Sequence, residues 1–251
     1  MNRRTFLATG AVSLSAIAGC LGGGGSSGDG DGYPPKSDQT PTERSIDTAS
    51  FDTVEENGVQ VPLAPIDVAY YWHQRGEARF ADARGERSYK AAHILGAVLS
   101  PAPKNMRGSN DPVKDWPKED LIVCYCGCPH HLSSIRASQL INEGYENVYV
   151  IDEGFGPWHQ RGYPMAGNDV SNMPKNWVIR GETDPSYASQ NAWARHLETE
   201  QMESTDIEDD GSYELHLKFY DVGPNSVVNV ETPEYTIEGK LSELTATKVT
   251  G

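Results

Sequence analysis

The stretch LIVCYCGCPHHLSSIRASQLINEGYENVYVIDEGFGPWHQRGYPM, from Leu121 to Met165, constrains this chain more than any other. Its first residues, Leu121 to Tyr125, are a short apolar run of the kind expected of a parallel strand covered on both faces. Ser133 and Ser134 suit the N-cap of a following helix. Ala137, Leu140, Ile141 and Gly144 then recur at i, i+3, i+4 and i+7, which makes one buried stripe. Gly144 stops the helix, and Val148, Val150 and Ile151 begin another strand. The result is a βαβ unit whose cysteine-bearing loop lies at the carboxyl end of a strand and ahead of a helix N-terminus. Ligands bind at that place in open α/β sheets. Exposed amides and the helix dipole favour anions and thiolates there.

Taken together with the residues upstream, this stretch resembles the rhodanese family. The Tyr125-Cys126 pair ending a buried strand, the helix after it, the G-Y-x-N-V-Y strand from Gly144 and the G-F-x-x-W-x-x-x-G-Y-P tail from Gly154 all match. So does RFADARGERSYKAAHILGAVLSP, with a strand ending in Asp82 and Arg84 and an H-I-x-G-A turn at His93, Ile94, Gly96 and Ala97. The resemblance covers residues 60–167. It implies an α/β fold, a central parallel sheet flanked by helices. It also implies a sulfurtransferase in which a loop cysteine carries sulfane sulfur as a persulfide. Its partners would be a small sulfur-containing anion such as thiosulfate as donor and a thiol or cyanide as acceptor, with no cofactor.

Chemistry of this kind needs a thiol of lowered pKa, amides pointing into the loop and an electropositive setting. Cys126 stands where the resemblance puts the nucleophile. Cys128 is the alternative, because the family's loop length to the helix is met by counting from it. Strand register favours Cys126, since burial fixes a strand end while loops tolerate insertion. Cys124 shares a strand face with Cys126 and reads as a buried small residue. The donor would be held by Gly127, Cys128, Pro129, His130, His131, Leu132 and Ser133, with Asp82 and Arg84 at the cleft or paired with each other to hold the strand end. Where the family loop often carries arginine before serine, this chain has Ser133, and Arg136 lies within the helix. That leaves His130 and His131 as helpers and argues against the related phosphatase and arsenate-reductase chemistry. His93 is expected to bond the turn before Gly96, and Trp158 and Tyr163 to anchor the core.

Two other readings of the loop stay open. Cys and His at i, i+2, i+4 and i+5 could ligate zinc or copper(I), though the spacing is denser than in structural zinc motifs, and no metal is assigned. The lost arginine would also suit an inactive rhodanese fold used for binding. A disulfide between Cys126 and Cys128 outside the cell would make the loop a redox switch.

At the N-terminus, Asn2 to Leu7 form a twin-arginine pattern and Ala8 to Ala18 a weakly apolar run too short to span a bilayer. Ile17 to Cys20 look like a lipobox, with Cys20 the site of lipidation. These residues predict a signal peptide over 1–20, a disordered tether over 21–58 and a mature protein on the outer face of the membrane, held by lipid. The formal charge is −15, with 36 acidic residues against 21 Lys and Arg, which repels nucleic acid. Acidity, the export signal and the glycine-rich tether together point to a halophilic archaeon.

The domain at 59–168 is expected to open with a helix from Pro65 to Gly76, capped by Asp67. A strand at Ala78 to Ala83, a helix around Ser88 to His93, a short strand at Ala97 to Leu99 and a surface loop from Ala102 to Lys118 follow. Residues 169–251 read as a small β-rich region without a chemical motif. Tyr213, Leu215, Leu217 and Phe219 alternate with Glu214, His216 and Lys218 in a half-buried strand. Gly223 and Pro224 turn the chain into a second such stretch. Trp177 to Arg180 reads as a strand and Asn191 to Glu203 as a short helix.

Overall fold

An Asn-Gly pair sets the first hairpin, β1 (Thr53–Glu56) returning as β2 (Val59–Ala64) with Asn57 at φ 50° and Gly58 at φ 77°. Positive φ at both turn residues matches the twist of the strands they join. The computed structural model describes residues 30–37, 40–103, 106–107 and 111–251; the twin-arginine pattern, the apolar run and Cys20 lie outside them. After β2 come α1 (Ile66–Arg75), β3 (Arg79–Asp82), α2 (Glu86–Ala91), β4 (His93–Ile94), β5 (Val98–Leu99), β6 (Leu121–Tyr125), α3 (His131–Asn142), β7 (Asn147–Ile151), α4 (Phe155–Gln160) and β8 (Met165–Ala166).

The main sheet runs β1-β2-β7-β6-β3-β5, parallel throughout except for β1 at its edge. The apolar run of β6 serves two cores. Val123 and Tyr125 pack with Trp72, Phe80, Phe155 and Trp158 on one face, and Ile122 and Cys124 with Val148, Ala137 and Leu140 on the other. Helix α1 begins at Ile66, one residue before Asp67, because the Glu153 carboxylate accepts the Ile66 amide at 2.9 Å. Gly76, at φ 63°, closes it as expected.

Of the segment read as a tether, residues 30–37 and 40–58 are described and make contacts with this domain. The Gly32 carbonyl accepts the Phe80 amide at 2.8 Å, and the Arg79 guanidinium lies 4.4 Å from the Tyr33 ring centroid. Phe51 packs edge-on to Tyr149, and β1 belongs to the sheet. Gly, Ser, Asp, Thr and Pro dominate the composition there and hide the few residues, Tyr33, Pro34 and Phe51, that have apolar seats to fill. The loop from Ala102 to Lys118 is likewise tied down in its second half, where Val113 and Trp116 are buried.

The C-terminal region consists of β9 (Trp177–Glu182), β10 (Asn191–His196), β11 (Gln201–Asp206), β12 (Ser212–Leu217), β13 (Val227–Glu231), β14 (Thr236–Lys240) and α5 (Leu241–Leu244). A four-stranded sheet, β11-β10-β13-β14, and the β12-β9 pair share one apolar core built on Ile179, Ala192, Ala194, Leu215, Leu217, Val228 and Val230. The helix expected over Asn191 to Glu203 is instead the β10–β11 hairpin. Ala192, Ala194 and His196 alternate inward at a period of two, and pairing from both sides overrides the local helix preference. Among the described residues no helix is long and apolar enough to cross a membrane.

Candidate active site

β3 and β6 run side by side with Asp82 opposite Tyr125, so the segments leaving their carboxyl ends meet at one edge of the sheet. From β3 comes a closed ion pair: Arg84 donates Nε to Asp82 Oδ1 at 2.9 Å and Nη2 to Oδ2 at 2.6 Å, and Nη2 also reaches the Ala92 carbonyl. Both residues are buried, so Arg84 spends its fork on Asp82 and the chain rather than on open solvent. From β6 comes the cysteine loop, bent through residues 127–130, with His130 at φ 31° leading into α3.

Helix α3 starts at His131, two residues before the serines expected to cap it. The Ser134 amide already donates to the His130 carbonyl at 2.8 Å. Ser133 is thereby free for another task, and its hydroxyl lies 3.4 Å from the Cys126 sulfur. The thiol of Cys126 also reaches the Cys128 carbonyl at 3.1 Å. Burial pushes the Cys126 thiol up. The adjacent Cys128 side chain, the Ser133 hydroxyl and the Ser133 and Cys128 backbone amides outweigh that, and hold it at about 7. Cys128 moves the other way. The adjacent Cys126, burial and the neighbouring Glu203 carboxylate push it well above an ordinary thiol. Burial takes Cys124 up to about 12.

Gly154, at φ 72°, packs its α-carbon against the Cys126 and Cys128 carbonyls, where a Cβ would stand 2.5 Å from the Cys128 oxygen. The next amide, of Phe155, donates to the Cys126 carbonyl at 2.9 Å. The β7–α4 turn thus fixes one side of the loop.

The other side is closed by the C-terminal region. Glu203 of β11 accepts from the Cys128 thiol at 3.4 Å, and Lys218 donates to the Gly127 carbonyl at 2.9 Å. Trp193 of β10 packs on the cluster of Cys126, Cys128, Leu132 and Ile135. Cys126 is 0% exposed and Cys128 2%. Burial, with the nearby Cys126 charge, raises Glu203 to about 8. Neither Glu203 nor Lys218 was anticipated from the sequence. A signal was present for the first: Gln201, Glu203 and Thr205 form the buried phase of β11, and a carboxylate there needs a partner.

The two histidines diverge. His131 is largely buried, with Nδ1 3.6 Å from the Cys128 sulfur, and burial together with His130 and His216 pulls it down to about 4. His130 turns toward Asp152, 3.7 Å away. Arg136 points away from the loop, fully buried, donating to Asp111 Oδ2 and Ser100 Oγ at 2.8 Å each. His93 bonds the Tyr89 carbonyl rather than the turn at Gly96, Trp158 sits in the core, and Tyr163 stacks on Tyr70 at 3.6 Å. Among the described residues no three of His, Cys, Asp and Glu converge so as to hold a metal ion.

The model of the rhodanese-like domain matches residues 67–161. A thiosulfate sulfurtransferase GlpE of Vibrio cholerae is 30% identical over 104 residues, 41% of this chain and 92% of that protein. A rhodanese-like domain from Anabaena is 23% identical, over 45% of this chain and 85% of its own, with a TM-score of 0.38. A protein from Bacillus halodurans is also 23% identical, over 43% and 77%, with the same TM-score. With a relative of this identity covered over almost its whole length, the chain belongs to the rhodanese-like family.

Proposed function

We propose that this chain is a sulfurtransferase in which Cys126 carries sulfane sulfur. Its donor would be a small anion such as thiosulfate, and its acceptor a thiol or cyanide. The observation that carries this reading is the ring of hydrogen-bond donors around the Cys126 sulfur, which favours a thiolate near neutral pH at the end of a buried strand. The thiolate attacks the outer sulfur of thiosulfate, the S–S bond breaks, and sulfite leaves with the electron pair. The acceptor then attacks the terminal sulfur of the persulfide, and Cys126 departs as the thiolate it began as. The Ser133 and Cys128 amides and the Ser133 hydroxyl favour that charge in both steps. Lys218 supplies, from the far region of the chain, the cation that the loop itself lacks. The family relative's name, thiosulfate sulfurtransferase, agrees with this chemistry. Export through the twin-arginine signal and lipidation at Cys20 would hold the enzyme on the outer face of the membrane.

Intact mass of the full chain after thiosulfate, then after cyanide, tests the reading. A gain of one sulfur atom that cyanide removes and Cys126→Ser abolishes supports it. A gain that follows Cys128 instead transfers the carrier's role to that residue. A Cys20→Ser chain that leaves the membrane fraction supports the anchor, and one that stays there removes it.

The complete burial of Cys126 favours a second reading, a rhodanese fold that binds without turnover. No sulfur gain in protein with free thiols would select it.

A further inference from the structure

Cys128 is the group that sulfur carriage by Cys126 leaves unused. It is buried, two residues from the carrier, and its thiol is bonded to a carboxylate brought from 75 residues away. We propose that Cys128 and Glu203 form a resolving centre, in which Cys128 displaces the sulfur carried by Cys126 and releases it as hydrogen sulfide. This inference rests on the carrier role of Cys126.

The geometry supplies each part. The two cysteines flank one residue of a bent loop. Their α-carbons therefore stay within the span of about 7 Å that a disulfide tolerates. Both cysteines are buried in one small cluster with Ala83, Ala102, Leu132 and Ile135, so their side chains share the same enclosed space. Glu203 and His131 both face the Cys128 sulfur, at 3.4 and 3.6 Å. The remaining charged and titratable groups around Glu203 are Cys126, Arg84 and Lys218.

Glu203 takes the Cys128 proton, and the Cys128 sulfur attacks the inner sulfur of the Cys126 persulfide. The bond from that inner sulfur to the terminal sulfur breaks, and its electron pair leaves with the terminal sulfur. That sulfur, bearing the persulfide's hydrogen, collects the proton from Glu203 and departs as hydrogen sulfide. The sulfane sulfur is reduced to sulfide and the cysteine pair is oxidised to a Cys126–Cys128 disulfide. Two equivalents of an external thiol return the pair to its starting state and are themselves oxidised to a disulfide. Burial holds Glu203 near 8, closer to the thiol it serves than an ordinary carboxylate would be, and a base so matched is the more effective one. Placement of this group on β11 also gives the C-terminal region a part in the chemistry.

The test loads the reduced full chain with thiosulfate, removes excess donor, and follows sulfide release and intact mass without added thiol. Sulfide is expected in step with a protein lighter by two hydrogens than the reduced chain, with the link mapped to Cys126 and Cys128. Cys128→Ser should keep its sulfur and release none. Glu203→Gln, near-isosteric, should release sulfide about a hundredfold more slowly per sulfur loaded and lose the rise in rate through pH 8 that the wild type shows. That pH limb is not a property that mere packing would remove. A wild-type persulfide that persists as long as that of Cys128→Ser overturns the resolving centre and leaves the carrier intact. Normal release by Glu203→Gln with an unchanged pH profile overturns the role of Glu203. No sulfur gain in wild type or variants, with neither sulfide nor disulfide formed, overturns the carrier and this inference together.

Discussion

The Glu203 carboxylate lies 3.4 Å from the Cys128 sulfur across 75 residues of sequence, joining the C-terminal β-region to the cysteine loop of the rhodanese-like domain. Around this contact the two regions mesh further. Gln201 accepts from Ser88 of α2, and Arg87 pairs with Asp221. The second region is thus a wall of the site, and groups in it bear on the ionisation of the loop.

That wall leaves a mark on stability against pH. Glu203 binds its proton more tightly in the folded chain, at about 8, than at the ordinary 4.5. Between those values the folded state holds the extra proton. The contribution is whole below pH 4.5, shrinks as pH rises, and is gone above about 8. Cys126 acts in the opposite sense over its own window, from about 7 to 9.0, because its folded value is depressed. Urea unfolding of wild type and Glu203→Gln from pH 5 to 8 should diverge by up to about 1 kcal/mol per pH unit, with the wild type losing stability relative to the variant. Parallel curves would mean that Glu203 is ionised throughout.

Gly154 is expected to be intolerant of any side chain. In Gly154→Ala the new Cβ meets backbone, not a mobile side chain, 2.5 Å from the Cys128 carbonyl, at a φ of 72° that already disfavours alanine. The strain, about 1–3 kcal/mol, falls on the cysteine loop. The sulfur of Cys126 would shift away from the Ser133 and Cys128 amides, so its pKa should rise toward that of a free thiol. Alkylation rate against pH reads this directly: the half-point should move above about 7 in the variant. An unchanged half-point would mean that the loop holds its shape without the Gly154 contact.

Much of this could be read from the sequence because local and tertiary demands agree there. β6 is apolar on both faces because it feeds two cores, and Cys126 follows at its end, so strand register alone put that residue at the sheet edge. The strands around Tyr213 to Leu217 and Val227 to Glu231 alternate because only one face is buried. Legibility failed where a distant partner decides. Ser133 looks like a helix cap, yet its hydroxyl is turned to a sulfur. Asn191 to Glu203 carry helix formers, yet β10 is claimed by strands on both sides and β11 pairs with β10. Lys218 continues an alternating strand, and nothing local says that it ends on the Gly127 carbonyl.

Arg136 illustrates the same distance effect within the helix. It fills a fully buried position by pairing with Asp111 and Ser100, which anchor the loop before β6. Arg136→Met should leave the Asp111 carboxylate buried with less compensation and cost about 3–5 kcal/mol in urea unfolding. Double replacement with Asp111→Asn should recover part of that loss, which a thermodynamic cycle measures. Sulfur loading per folded molecule should not change, since Arg136 faces away from the loop. A loss of loading in folded protein would make it part of donor binding instead.

Lys218 makes the sharper claim about the donor. Its ammonium reaches the cysteine loop at Gly127, while Arg84 is committed to Asp82 and Arg136 to Asp111. A dianionic donor such as thiosulfate approaching Cys126 would therefore gain most from Lys218. Lys218→Met should raise the KM for thiosulfate about tenfold, equivalent to about 1.4 kcal/mol, with a smaller effect on kcat. Added salt should weaken the wild type's use of thiosulfate and affect the variant less, because screening removes an attraction that the variant no longer has. Equal salt dependence in the two proteins would mean that Lys218 holds the loop but does not meet the donor.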